Sequence, residues 1–525
     1  MTDVVAIPKK IKKMRHEMKK FYITTAIDYV NSIPHLGTAY EKIGADVIAR
    51  YKRKQGFDTF FLMGVDEHSL NVEKQAKTEG ISPKEYCDKM VVRFKDVWRK
   101  LNISYDDFIR TTDERHKKAV QHLMQVIYDK GDIYKGKYKG WYCVSCEAFL
   151  KEKDLTDKKC PIHNKEPQWI EEDNYFFRLS KYKDLLLTHI STNPEFIRPE
   201  IRMNEIVNVL KGGLEDISIS RSSVGWGIPV PFDTQYVIYV WFDALINYIS
   251  GLGYPDIEGK FRKYWPCDLH VIGKDITRFH SIIWPAMLMA GGVQLPNGVW
   301  GHGFVYLGEQ RMSKTLGTAV NPLDIVEKYG SDSIRYFLMR EVAFDRDGEF
   351  TWEKFIARYQ ADLANDLGNL VQRVLSMVNR YDKGLIYKKE GNGSTLDSDV
   401  VDLVKKSIIE YQRNMDGYQL SQALANVWDI VSRANRYVEE SKPWTLFKDG
   451  KVDQLQRVLY NLVESIRIIA VMVEPFMPVC ANNIWVQLCN PGDFAKQIIK
   501  DSAKWGLLPD NFKIGEPKAL FPKIE

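Results

Sequence analysis

Pro34-His35-Leu36-Gly37-Thr38 lies where an extended, β-branched run gives way to a helical pattern. A helix that starts there turns backbone N–H groups and its positive dipole end toward an anion such as a phosphate, and Gly37 lets that anion approach the backbone. A plain helix cap would use the same residues. Far downstream, Arg311-Met312-Ser313-Lys314-Thr315 follows a predicted strand and sets a Met-Ser-Lys core beside a glycine-rich loop. A third group is Cys143-Val144-Ser145-Cys146, followed after thirteen residues by Cys160-Pro161-Ile162-His163. Three thiolates (Cys143, Cys146, Cys160) and the His163 imidazole at knuckle spacing suit one closed, tetrahedral, structural Zn2+, with no open position for catalysis.

The elements that must position these groups follow from periodicity. Phe21 to Ile27 reads as a strand, Asp28 to Pro34 as an irregular link, and Leu36, Tyr40, Ile43, Val47 and Tyr51 share one helix face. Thr59 to Val65 is the next buried strand; it ends in Asp66-Glu67-His68, where open α/β sheets place ligand-binding residues. The grammar returns with strand Leu269–Ile272, turn Gly273-Lys274-Asp275, helix Ile276–Ala290 and strand Val299–Val305. The segment between is richer in turn residues and is expected to interrupt the sheet without extending it. From Trp352 onward the pattern is helical.

The fold class is therefore α/β: a split, Rossmann-like, doubly wound parallel sheet, an inserted connective zinc-knuckle domain, and a C-terminal all-α bundle. The expected divisions are a basic tail (1–20), a first sheet half (21–136), the insertion (137–235, knuckle 143–163), a second half (236–310), a loop and stem-contact region (311–360), the bundle (361–512) and a tail packing on the body (513–525). At 525 residues several cores are needed. Hydrophobic and charged shares of 45% and 27% exclude wholesale disorder, and the net charge of +5 permits a polyanionic partner without requiring one. No long apolar run or secretory signal appears, and seven cysteines fit a reducing compartment, so the expected address is cytoplasmic, with no membrane partner. The basic stretch Lys9 to Lys20 reads as a solvated terminus.

In this order, with an insertion between them, the first two elements resemble the HIGH and KMSKS signatures of class I aminoacyl-tRNA synthetases. The resemblance implies ATP with Mg2+ held by His35, Gly37, Thr38, Gly273, Lys274, Asp275, Met312, Ser313 and Lys314, with His35, Thr38 and Lys314 catalytic. Thr38 stands where the family has a second histidine, and Arg311 and Thr315 stand at the ends of the lysine motif. Five further blocks are similar to the methionyl-tRNA synthetase branch: Thr25–Tyr29, Gly64–His68, Tyr239–Ala244, Ile272–Ile276 and Phe279–Pro285. Carried over, the methionine site is Ile27, Tyr29, Trp241, Ala244, Leu245, Tyr248, Ile276, His280 and Trp284, with Asp66 on the ammonium. Aromatic walls suit a polarizable thioether. Leu245 stands where some relatives carry proline. Asn369, Arg373 and Trp444 match anticodon-reading positions, where Asn and Arg bond base edges and an aromatic stacks on a base.

The implied activity joins L-methionine to ATP as methionyl-adenylate, releases pyrophosphate, and passes methionine to the 3′-terminal adenosine of tRNA(Met), in a monomer. The alternatives are a synthetase for isoleucine, leucine, valine or cysteine, or an inactive RNA-binding or scaffold relative. The insertion between Lys137 and Gln235 is too short for the editing domains of the first three.

Overall fold

The computed structural model describes residues 18–144, 148–150, 152, 155–161, 164–222, 225–308, 310–311, 320–389, 393–489 and 493–523. Its centre is a parallel sheet. The opening elements are β1 (Lys20–Thr25), β2 (Asp28–Tyr29), helix α1 (Leu36–Lys54), β3 (Asp58–Asp66) and β4 (Asp107–Arg110). β3 lies between β1 and β4, with Ile23 opposite Phe61 and Met63 opposite Phe108; β2 continues alongside its end, with Tyr29 opposite Asp66. On the other flank of β1 come strands Leu269–Gly273 and Val299–His302, pairing Thr25 with Val271 and His270 with Val299. These strands are apolar runs because both faces are covered. The chain leaves β1 toward β3 and returns on β1's other side, so a crevice opens at the strands' C-terminal ends.

Two expectations about the sheet need correction. The insertion does extend it: Ile197–Arg198 forms the edge strand beside Val299–Trp300, locked by the Val299 amide donating to the Phe196 carbonyl at 2.7 Å. Burial of Phe196 and Ile197 holds this two-residue strand in place. The strand expected over Val299–Val305 is instead two. It breaks at Gly303, where a Cβ would lie 2.1 Å from the Arg346 backbone. Beyond the break, Val305–Leu307 joins a separate small sheet with Gly348–Phe350 and Gln310–Arg311. The insertion's long antiparallel ribbon, Ile133–Cys143 against Gln168–Phe177, starts before residue 137.

The C-terminal part is helical, with helices Asn369–Asp382, Thr395–Asp416, Leu420–Ser441, Pro443–Lys448 and Val452–Val473. Phe512–Lys513 pairs with Leu385–Ile386, and the Tyr359 hydroxyl donates to the Pro522 carbonyl at 2.9 Å, fastening the chain end to the body. One apolar core runs from α1 into these helices. At that junction Arg335, fully buried in helix Ser331–Glu341, sits 2.7 Å from Asp46 of α1. The same guanidinium donates to the carbonyls of Pro475 (2.9 Å) and Phe476 (2.8 Å). Among the described residues no helix is long and apolar enough to cross a membrane.

Candidate active site

A small cavity of about 30 Å3 sits at the C-terminal edge of the sheet. Ala26, Ile27, Tyr29 and Asp66 line it from the strand ends; Trp241, Ala244, Leu245, Asn247 and Tyr248 from the helical run Val240–Ser250; Ile276 and His280 from the turn after Leu269–Gly273. Residues 241, 244, 245 and 248 share a face because they are spaced by three or four on a helix. Trp241 stacks on Phe279 at 3.8 Å and meets Tyr29 edge-on at 6.3 Å. The buried Trp241 Nε1 and Asn247 Oδ1 have no hydrogen-bond partner among the described residues, one donor and one acceptor at the cavity wall. Ala26 and Asn247 were not foreseen; Asn247 falls one turn beyond Ala244, on the flank of the expected face.

Trp284 is the expected wall residue that the structure puts elsewhere. It has no exposed surface and lies one layer back, 6.0 Å from the Tyr248 ring, with Nε1 donating to His270 Nε2 at 3.3 Å. The preceding segment runs as a π-helix over Phe279–Ile283, which turns His280 to the cavity and Trp284 toward His270. The Tyr248 hydroxyl donates to His280 Nε2 at 2.6 Å, while His280 Nδ1 donates to the Ile276 carbonyl at 3.0 Å. Burial pushes His280 down to about 4 and His270 well below its usual range, so both imidazoles are neutral. Asp66, 3% exposed and accepting the His68 amide at 3.3 Å, is the one carboxylate on this lining.

The phosphate side is built differently from the expected bare helix end. His35 adopts an extended backbone and its Nδ1 accepts the amides of Gly37 (3.1 Å) and Thr38 (3.3 Å). The Leu36 amide donates to the Val320 carbonyl at 3.0 Å, so the first amides of α1 are already engaged. With Nδ1 accepting in the neutral ring, the ring proton is on Nε2. At Gly37 a Cβ would lie 3.0 Å from His35 Cε1, so any side chain there would press on the ring. Thr38 is half-buried one residue on. A side chain at Gly273 would come within 2.7 Å of Asp275 Oδ1. Lys274 is turned to Asp347 at 2.6 Å and lies over the Phe304 ring. Met312, Ser313 and Lys314 lie outside the described residues. Their segment departs from Arg311, paired with Tyr306, and returns at Val320, against the first residue of α1.

Behind the cavity, Lys42 of α1 donates to the Ala26 carbonyl at 2.7 Å and pairs with Asp28 and Glu41. Burial raises Asp28 despite Lys42; burial would also raise Glu41, but Lys42 and His302 at its oxygens hold it down. A second buried group, missed in the sequence, is Asp243 between His68 Nδ1 and His116 Nε2, each at 2.7 Å. It ties the end of β3 to the helix that carries Trp241. In the insertion, Cys143 and Cys160 are buried, and a turn is closed by the Asn164 amide on the Cys160 carbonyl at 2.8 Å. Cys146 and His163 lie outside the described residues, and among those described no cluster of three metal-ligating side chains occurs.

The family model described as tRNA synthetases class I (M) matches residues 21–162 and 150–375, and that for the anticodon binding domain of methionyl tRNA ligase matches 389–525. The chain belongs to the methionyl-tRNA synthetase family. A methionine–tRNA ligase of Caldanaerobacter subterraneus subsp. tengcongensis is 47% identical over 97% of this chain and 79% of its own length. That of Thermotoga maritima is 44% identical over 96% of this chain and 80% of its own. The structure of Mycobacterium tuberculosis methionyl-tRNA synthetase in complex with methionyl-adenylate superposes with a TM-score of 0.92 at 40% identity, covering 96% of this chain and all of that one.

The anticodon-domain model of this methionyl-tRNA synthetase family begins after two of the residues expected to read bases. Asn369 and Arg373 lie on helix Asn369–Asp382, before that match, while Trp444 falls inside it. The structure brings two of the three together: the Arg373 guanidinium lies 5.5 Å from the Trp444 ring and 2.7 Å from Glu439. Trp444 is 40% exposed, so it is not part of the core. Asn369 is exposed at the start of its helix.

Proposed function

We propose that the chain is a methionine–tRNA ligase that activates L-methionine with ATP and then charges tRNA(Met). The observation that carries the reading is the cavity itself: neutral aromatic and aliphatic walls around a single carboxylate, next to a helix capped by a histidine whose Nε2–H is a donor. In this reading Asp66 pairs with the ammonium, and Trp241, Tyr248 and His280 enclose the thioether. The methionine carboxylate oxygen attacks the α-phosphorus of ATP, that bond forms as the bond to pyrophosphate breaks, and negative charge grows on the leaving group. His35, Lys274 and Lys314 answer that charge by position and electrostatics, so no protein nucleophile is needed. Thr38, Gly37, Gly273, Asp275, Met312 and Ser313 complete the nucleotide site, and Mg2+ accompanies ATP.

Cys143, Cys146, Cys160 and His163 would hold one Zn2+ that stiffens the insertion. Cys143 and Cys160 are buried and Cys160 opens a tight turn, which fits that role. Asn369, Arg373 and Trp444 would read the anticodon. The divisions 21–136 and 236–310 then carry activation, 137–235 the acceptor end, 311–360 the stem contact and 361–512 the anticodon, with the tails 1–20 and 513–525 outside the chemistry, all in a monomer of the cytoplasm. Amino-acid-dependent pyrophosphate exchange tests the assignment. Exchange stimulated by methionine alone is expected; stimulation by another amino acid would reassign the substrate, and none at all would make the chain an inactive relative.

A further inference from the structure

Three residues from Trp444 on the same short helix, Phe447 stacks on Tyr381 of helix Asn369–Asp382, ring centres 4.5 Å apart and planes 23° from parallel. Phe447 is 49% exposed, so the stack covers part of the ring and leaves the rest to solvent. Residues three apart on a helix point to the same side, which puts Phe447 and Trp444 on one surface. Cations flank both rings: Arg373 lies by Trp444, Arg380 lies 5.8 Å from the Tyr381 ring, and Lys383 and Lys448 are exposed close by in the chain.

An aromatic pair half-open to water has no place in a folding core, since the uncovered part of the ring gives up none of its contact with water. Exposed rings interleaved with Lys and Arg are the chemistry of single-stranded nucleic acid binding, in which bases stack on aromatics and cations track the phosphates. We infer that the Phe447–Tyr381 stack is a second base platform: it receives an unpaired base of the RNA loop adjacent to the one that meets Trp444, with Tyr381 backing the ring and Arg380 facing the backbone. The inference rests on the tRNA-charging reading above and adds a nucleotide contact to it. Recognition by stacking alone tolerates any base, so this platform supplies affinity and loop shape, not sequence choice.

The test is methionylation of tRNA by the full chain carrying Phe447→Ala, Phe447→Trp or Trp444→Ala, with methionine-dependent pyrophosphate exchange measured in parallel. Phe447→Ala is expected to raise KM for tRNA about tenfold or more, the scale of one lost base–aromatic stack, with exchange unchanged and Phe447→Trp near the parent. If Phe447→Ala charges tRNA like the parent while Trp444→Ala does not, the second platform is overturned and the anticodon reading stands. If neither variant affects charging, both fall. A Phe447→Ala protein that loses exchange as well, or melts early, would make the ring a structural prop and overturn the inference.

Discussion

Tyr248 and His280 are joined by a 2.6 Å hydrogen bond at the inner wall of the cavity, with the imidazole as acceptor. The bond requires a neutral His280, and burial secures that by pushing the ring down to about 4. Tyr248→Phe removes a hydrogen bond worth about 1 kcal/mol, so KM for methionine should rise about fivefold with KM for ATP unchanged. Because His280 is lowered in the folded protein, the unfolded chain takes up its proton first as pH falls below about 6.5. Stability should then be lost between pH 6.5 and 4, by about 3 kcal/mol for this ring. Urea unfolding across that window checks it: His280→Gln should flatten the dependence, and an unchanged slope would rule out the buried neutral ring.

Asp66→Asn should raise KM for methionine in the exchange assay on the order of a hundredfold, the effect of losing a charge-assisted contact to the ammonium. ATP binding should be kept. An equal loss for both substrates would place Asp66 in the fold and not on methionine.

Gly37→Ala should disturb the His35 cap, because the new methyl would lie 3.0 Å from the ring. Loss of a cap of this kind costs about 1 kcal/mol of stability. The larger effect is expected on adenylate formation, which should slow more than tenfold once Nε2 is turned away. Rapid-quench measurement of adenylate decides; parent-like rates would dissociate the cap from the chemistry.

Much of this was legible in the sequence because it is periodic. The strands that meet at the crevice are apolar runs; Trp241, Ala244, Leu245 and Tyr248 were legible through the family resemblance, and helical spacing explains why they share one face. Trp284 lies behind the lining because a π-helical stretch shifts the face, and no residue pattern announces that shift. Ile197–Arg198 is too short to show alternation, and its place in the sheet is decided by Val299, a hundred residues away in the chain. The Asp243 clamp joins side chains far apart in sequence, and His116 within a helix looks like any other polar position. The His35 cap was weighed against phosphate binding; the structure shows the cap, through Nδ1, and the cap leaves the ring proton on Nε2.

Arg335→Met should destabilise the protein by about 3–5 kcal/mol, the cost of removing one member of a buried ion pair. Denaturant unfolding would measure it. A loss below about 1 kcal/mol would mean that Arg50, 2.8 Å from Asp46, suffices alone.

Metal analysis of the purified chain should find about one zinc, and its removal should loosen the insertion before it affects methionine-dependent exchange. Protease cutting between residues 143 and 163 after chelation, with exchange retained, is the expected result. Less than a tenth of an equivalent of zinc in freshly purified protein would remove the knuckle.

The bond between Arg335, Asp46 and the carbonyls of Pro475 and Phe476 also bears on how such a chain can evolve. A swap of its RNA-reading half for a foreign one would keep the Arg335–Asp46 pair but take the Pro475 and Phe476 carbonyls from the buried guanidinium, so recombination at this seam is penalised even though the two halves do different jobs. Inheritance as a single block, and not assembly from interchangeable cassettes, is what this one buried cation enforces.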